Sequence, residues 1–393
     1  MKNNVWKIYS PNEWLILLLF ASAFISVFAI VGVLILVPVY FFVTKQARKA
    51  LPENVWEWLI VAFALIGIIS TFAFSKNALW DSATNTFQLQ SWYLKVLSIL
   101  ILILSIDVTF LFHILTKRAL TDSLKLSAIM SYPCFAVALL QKILGLYASP
   151  DRPGRFASVF RNENYYGVAI ECLVLISLYL LIREKERKNK LLYAGAIAFN
   201  LAGLWLCQCR TAFLVIIFSL IVFLSIFDRK YLFITLGIAL LGGLVIWLKP
   251  SLLPRLDSLS DNMSFRLGIW KAALKGFLDN PIIGRGYFSY SGLWETYSSG
   301  EFFAIHAHNM YLEVLLNFGI TGFLSLVGYS GYQVIESVKA CRNSKRRLET
   351  ALIFSILCAL LLHGALDTTF FWPQTGIFFA MILAGSNAYK LEK

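Results

Sequence analysis

Residues 165–183 read YYGVAIECLVLISLYLLIR, residues 184–190 read EKERKNK, and residues 191–208 read LLYAGAIAFNLAGLWLCQ. Two apolar runs flank a connector in which every residue but Asn189 is charged. Each run is close to the ~20 residues that cross a bilayer as a helix. The same alternation continues in both directions. Spans are predicted at 12–27, 29–44, 56–74, 93–114, 125–147, 165–183, 191–208, 210–227, 231–248, 309–335, 350–367 and 371–388, twelve in all. The expected fold class is therefore all-α, a polytopic membrane protein of about twelve helices.

Composition agrees. Of 393 residues, 59% are hydrophobic and 15% charged, against about 25% charged in soluble domains. Mean hydropathy is +0.70. A soluble enzyme, a disordered tail and a secreted disulfide scaffold are excluded. The six cysteines form no CxxC pair, so no zinc site or disulfide framework is indicated. The first apolar run, from about Trp14 to Val43, is too long for a signal-peptide core or a single span. It is read as two short helices, with one long tilted helix as the alternative.

The clusters Lys45/Arg48/Lys49, Lys117/Arg118, Lys185/Arg187/Lys188/Lys190, Arg229/Lys230 and Arg342/Lys345/Arg346/Arg347 all fall in loops of one parity. By the positive-inside rule those loops, with both termini, are cytoplasmic. The net charge of +13 then reflects topology beside anionic membrane lipids and not nucleic acid binding. The chain divides into spans over 1–248, an outer loop over 249–308, and spans over 309–393.

That loop is rich in aromatics, among them Trp270, Tyr287, Tyr290, Trp294 and Tyr297, too many for a solvated linker. Within it, SFRLGIWKAALKGFL at 264–278 shows helical apolar periodicity. Ser264 is the expected N-cap, and Asn280-Pro281 the stop. Pro281 to Gly286, PIIGRG, is a turn, and His306-Ala-His308-Asn309 opens the tenth span.

Arginines on the outer side depart from the topological trend: Arg152, Arg155, Arg161, Arg210, Arg255, Arg266 and Arg285. Arg210, in a tight turn between two spans, needs an anion, since unpaired charge there is costly. A phosphate would serve, because guanidinium binds phosphate in a bidentate manner. Snorkelling, or a salt bridge to Glu171 or Asp367, is the structural alternative; for Arg152 and Arg255 the structural reading is preferred. His308, at a helix N-terminus, meets the positive end of the dipole, which favours the neutral ring that acts as a general base. An HxH pair also suits a metal, but no third ligand lies nearby in sequence, so no metal and no cofactor is expected. His363 and Asp367, at i and i+4, read as a second polar pair on the same side.

These motifs resemble the bacterial O-antigen ligase and polymerase family. Its pattern corresponds to Arg266 with Trp270, Pro281-Ile-Ile-Gly284-Arg-Gly286, His306-Ala-His308-Asn309-Met-Tyr311-Leu312, and Gly319 with Gly322. Upstream, Arg155, Asn162 and Asn164 match another family segment, and Cys209-Arg210 matches a third with Cys in place of Ser. The resemblance implies a GT-C-like, metal-independent, inverting glycosyltransferase of the outer face of the cytoplasmic membrane. Its donor would be a glycan on undecaprenyl pyrophosphate and its acceptor a glycan or glycolipid hydroxyl. By the same resemblance His308 is catalytic and Arg210 and Arg266 hold the pyrophosphate. His306, Asn309, Arg155, Arg161 and Asp367 support them. Polymerase and ligase share these motifs. The alternative is a flippase for lipid-linked oligosaccharide, which predicts repeats and mid-membrane charge; no repeat is visible, and Asp107 and Glu171 are the main acids inside spans.

Overall fold

A computed structural model describes residues 9–46, 48, 51–74, 78–79, 88–89, 91–146, 153–249, 259–298, 304–341, 346–369 and 371–390. The fold is helical: α1 (Pro11–Ala23), α2 (Val27–Val43), α3 (Val55–Phe74), α4 (Ser91–Ile114), α5 (Lys117–Leu144), α6 (Glu163–Arg183) and α7 (Arg187–Cys207). After these come α8 (Arg210–Phe227), α9 (Arg229–Leu248), α10 (Leu259–Leu278), α11 (Ser289–Ser298), α12 (Met310–Cys341), α13 (Arg347–Gly364) and α14 (Pro373–Lys390). A two-residue antiparallel ribbon, β1 (Ala78–Leu79) with β2 (Gln88–Leu89), joins α3 to α4.

Every predicted span falls on a helix. Among the described residues, eight helices (α3 to α8, α12 and α13) are long and apolar enough to cross a membrane, and α1, α2 and part of α14 are shorter apolar helices. α6 is apolar almost all round and buried almost all round, the signature of a helix at a core. It packs against α5, α7, α8 and α13. Tyr166 of α6 lies against Gly203 of α7, and Gly167 lies against Cys209 just before α8. A second group, α3 with α4 and α12, encloses with α2 and α14 an apolar crevice of about 140 Å³, lined at one end by Tyr287 and Phe371 and deeper by Asp107 and Tyr329.

The first apolar run is two helices, broken at Phe24 to Ser26, where the Ser26 side chain accepts the Ala29 N–H. Pro38 lies inside α2 and does not end it. Other boundaries move. The loop expected at 115–125 is mostly helix, because Thr116 caps α5 through the Ala119 N–H and KRALTDSLK contains no strong helix breaker. α10 begins at Leu259, so Ser264 is an interior residue and not the N-cap; apolar periodicity locates a helix better than its ends. α11 carries Tyr290, Leu293, Trp294 and Tyr297 at i, i+3, i+4 and i+7, a helical face in the aromatic-rich loop that is not among the expected helices.

The expected tenth span is α12, and it is broken. Gly319 has φ 64° and ψ −170°, outside helical geometry. The PIIGRG turn docks into the break. Arg285 N–H donates to Leu316 O (2.8 Å) and Gly286 N–H to Asn317 O (2.8 Å), while Ile320 N–H donates to Pro281 O (2.8 Å) and Thr321 N–H to Ile282 O (3.2 Å). Backbone groups freed by the break are thus met by the turn. Only glycine allows this approach: Gly284 has φ +72°, and a Cβ there would stand 2.5 Å from backbone atoms of Asn317, Phe318 and Gly319.

Gly284→Ala should therefore destabilise the protein by at least about 2 kcal/mol, read as a fall in thermal unfolding temperature in detergent. Gly331→Ala, a helical position with no atom near the added methyl, should be neutral or mildly stabilising. Equal behaviour of the two variants would contradict the docking of this turn.

Candidate functional site

The HAHN segment is shaped by the start of α12. Asn309 is the N-cap: its Oδ1 accepts the N–H of Tyr311 and of Leu312, both at 3.0 Å, and its Nδ2 donates to Ala365 O at 2.9 Å. The cap thereby ties the start of α12 to the end of α13. His308 has φ 47°, the left-handed region. Its carbonyl accepts Trp270 Nε1 of α10 at 3.3 Å. The preceding residue, Ala307, donates its N–H to Glu313 Oε2 at 2.7 Å, and Glu313 in turn accepts Asn317 Nδ2 at 2.8 Å.

The two imidazoles are held differently. His306 Nδ1 accepts the His308 N–H at 3.2 Å, so in the neutral ring the proton sits on Nε2. That Nε2 is 3.9 Å from Asp367 Oδ1. His308 turns Nδ1 to the same oxygen at 3.4 Å, without a hydrogen bond, and its Nε2 is left to meet a ligand. The sequence offered only the helix dipole to act on His308; the fold adds a carboxylate.

Asp367 is fixed from behind. Its Oδ2 accepts Asn164 Nδ2 at 2.8 Å and its Oδ1 accepts the Thr368 N–H at 2.8 Å. Asn164 Oδ1 accepts Arg155 Nη2 at 2.9 Å, and Arg155 Nε donates to Cys207 O at 3.1 Å. Arg155 is buried, with Nη1 3.7 Å from the buried Glu163 carboxylate. Burial alone would push the Asp367 carboxyl up, but His308 and His306 beside it and the positive charge of Arg266 hold it well below the usual carboxylate range.

The fold therefore brings His306, His308, Asn309, Asp367, Arg155 and Arg266 to one end of the bundle. Arg210, half-buried at the first position of α8, stands at the same end, three residues after the Cys207 carbonyl that Arg155 holds. Arg161 is exposed, at φ 61° after the 3-10 turn Ser158–Phe160, and no contact joins it to the cluster. Arg285 bonds Tyr297 and Asp279 and pins the turn to α10 and α11. Arg152 and Arg255 lie outside the described residues.

Two expectations are corrected. His363 does not pair with Asp367 through its side chain. Its Nδ1 meets Glu171 Oε1 of α6 at 2.5 Å, while its backbone carbonyl accepts the Asp367 N–H at 3.0 Å. The i, i+4 rule assumes a continuing helix, and α13 stops at Gly364. Nor does the HxH pair lack a third ligand. His306, His308 and Asp367 place one ligand atom each within 4.8 Å of one another, a set that can hold a divalent metal. Asp367 comes from 59 residues beyond His308, too far along the chain for ligand spacing to reveal it. Asn164 stands in the family-like segment with Arg155 and Asn162, but its bond to Asp367 is not legible there; Glu313 is not singled out by the sequence, and its place in the first turn of an apolar helix is the available signal.

Replacing Arg155 by Met removes the cation facing the buried Glu163 and should cost about 3 kcal/mol, seen as a lowered unfolding temperature. Arg161→Ala, on the exposed turn, should stay within about 0.5 kcal/mol of wild type. The opposite ranking would refute the anchoring of Asn164 through Arg155.

No curated protein matches the chain. Residues 195–327 match the family model described as O-antigen ligase. The matched segment, about a third of the chain, contains Arg210, Arg266, His306, His308 and the Gly319 break, and over this stretch the chain is similar to the O-antigen ligase family.

Proposed function

We propose that this multi-pass membrane protein is a GT-C-type glycosyltransferase. It moves a glycan from undecaprenyl pyrophosphate to a sugar hydroxyl on a second glycan or glycolipid, in polymerisation or ligation of O-antigen, capsule or exopolysaccharide. Similarity to that family supports glycan transfer in O-antigen assembly. The observation that carries the finer reading is the convergence of His306, His308 and Arg266 on one buried carboxylate, Asp367, at the end of the bundle where Arg210 begins α8.

The chemistry follows from the atoms. The acceptor oxygen attacks the anomeric carbon, and the carbon–oxygen bond to the pyrophosphate breaks. The leaving lipid pyrophosphate takes the bonding electrons, so negative charge grows on its phosphate oxygens. Arg210 and Arg266 are the groups assigned to that charge. The acceptor proton passes to His308 Nε2, and Asp367 stabilises the imidazolium through the Nδ1 side, as the acid of a His–Asp pair does. One displacement inverts the anomeric centre. His306 is the weaker candidate for base because its Nδ1 is committed to the His308 N–H. Asn309 and Arg155 position the histidine and the carboxylate. The parity of the basic loops supports cytoplasmic termini and an extracytoplasmic site.

A metal-assisted variant rests on the same three ligands. Chelation separates the two. In excess EDTA the purified protein should still transfer glycan, whereas dependence on added zinc or manganese would establish the metal reading. His308→Ala and Asp367→Asn should each slow transfer about a hundredfold or more, and His306→Ala should cost less. Equal losses from His306→Ala and His308→Ala would remove the base assignment.

Topology gives a further check. A cysteine introduced at Lys271 in α10 should react with a membrane-impermeant maleimide on intact spheroplasts in a cysteine-free background. Labelling only after lysis would place the site on the cytoplasmic side and overturn the use of an outward-facing lipid donor.

A further inference from the structure

Glu171 and His363 lie deep in the helix bundle, and the reaction described above uses neither. Glu171 is in the middle of α6 and His363 in the last turn of α13. Both side chains are buried, 0% and 1% exposed, and meet at 2.5 Å. Glu171 Oε2 has no hydrogen-bond partner. Such a pair is a poor device for stability, because taking two charge-bearing groups out of water costs most of what their contact returns.

What surrounds the pair is informative. α13, which carries His363, packs along α8. Cys209 is the N-cap of α8 but makes no side-chain cap bond, and the next residue is Arg210. One turn before Glu171, Gly167 presses on Cys209 so closely that a Cβ there would stand 2.7 Å from the Cys209 Cβ. On its backbone side, the His363 carbonyl accepts the N–H of Leu366 (2.9 Å) and of Asp367 (3.0 Å), forming the turn that presents Asp367. Gly364, the next residue, packs against Met310, the first residue of α12. The pair thus stands where α6, α8, α13 and the start of α12 are joined.

We propose that the Glu171–His363 pair is a positioning element for the anion site: through Cys209 and the 363–367 turn it sets the place of Arg210 relative to Asp367. The inference rests on the assignment of Arg210 to the lipid pyrophosphate. The Gly167–Cys209 contact brings the start of α8 against α6 one turn from Glu171, and α8 packs along α13, so both helices that carry the pair meet α8 beside Arg210. Hydrophobic packing at this junction would hold the helices together but would not specify where α8 begins.

The test uses full-length protein in detergent micelles and undecaprenyl pyrophosphate as the probe, with binding and thermal unfolding measured separately. A single substitution leaves a buried charge-bearing group unmatched and destabilises the bundle, so the informative variant removes both partners. Glu171→Leu with His363→Leu replaces the pair by apolar groups, which is often neutral or stabilising. We expect this double variant to keep a wild-type unfolding temperature yet bind undecaprenyl pyrophosphate about tenfold or more weakly, the loss expected when a charge-assisted contact is misplaced. His363→Asn, whose amide can still donate to Glu171, should recover most of the affinity. Arg210→Ala should also bind weakly, and adding it to the double variant should cost little more, since coupled sites are not additive. Wild-type affinity in the double variant, with Arg210→Ala still weak, would overturn the positioning role alone. Wild-type affinity in Arg210→Ala would overturn the pyrophosphate assignment and this inference with it.

Discussion

A helix cannot be broken inside a bilayer unless other backbone groups meet the ones it frees. That constraint governs this protein at Gly319. The break leaves carbonyls of Leu316 and Asn317 and N–H groups of Ile320 and Thr321 without partners in their own helix, and the 281–286 turn supplies partners for all four. A loop segment is thereby inserted into a membrane helix. The consequence is positional. α10, which precedes the turn, carries Arg266 and Trp270, and Trp270 holds the His308 carbonyl. The same docking therefore holds α10 against the start of α12, where Trp270 meets the His308 carbonyl. Glu313 and Asn317 carry the effect back to the site, because Asn317 accepts from Ser289 after the turn and donates to Glu313, which holds the Ala307 N–H.

The polar groups of the bundle follow a common economy. Buried charge is tolerated where it is matched and hydrogen-bonded. Arg155 faces Glu163, Glu171 faces His363, and Asp367 is surrounded by Asn164, Thr368 and two histidines. Glu163 begins α6, His363 ends α13 and Asp367 follows it, whereas Glu171 meets His363 from the middle of α6. The cost of desolvation is offset by geometry that apolar packing alone would leave loose.

His308 shows how that geometry becomes chemistry. A left-handed φ at a β-unbranched, non-glycine residue is strained, and it persists because its neighbours over-determine it. Here Trp270 holds its carbonyl, His306 its N–H, and Asn309 begins the helix immediately after. The ring is then aimed at Asp367 with Nε2 left to act. Strain in the backbone and preorganisation of the side chain are two aspects of one arrangement.

Neighbouring residues wrote the helices and their caps. Apolar runs located the helices, eight of which among the described residues are long and apolar enough to cross a membrane, and the first run is two helices as its length suggests. Helix ends were less legible, as Lys117 and Leu259 show, since polar helix-forming residues carry no apolar period. The HAHN segment and Arg155 and Arg266 fall in one polar cluster, whereas Arg161 stays apart from it and Arg285 holds the 281–286 turn. Partners across the chain were beyond reach. His363 had Asp367 four residues away and chose Glu171, 192 residues away, because α13 ends between them and α6 passes alongside. Asp367 became the third member of the histidine cluster, and the Gly319 break found its four partners, only once α12, α13 and the segment from α10 to the 281–286 turn were packed. Local periodicity is a property of the sequence, whereas the meeting of a carboxylate with two imidazoles depends on distances that only the assembled bundle sets.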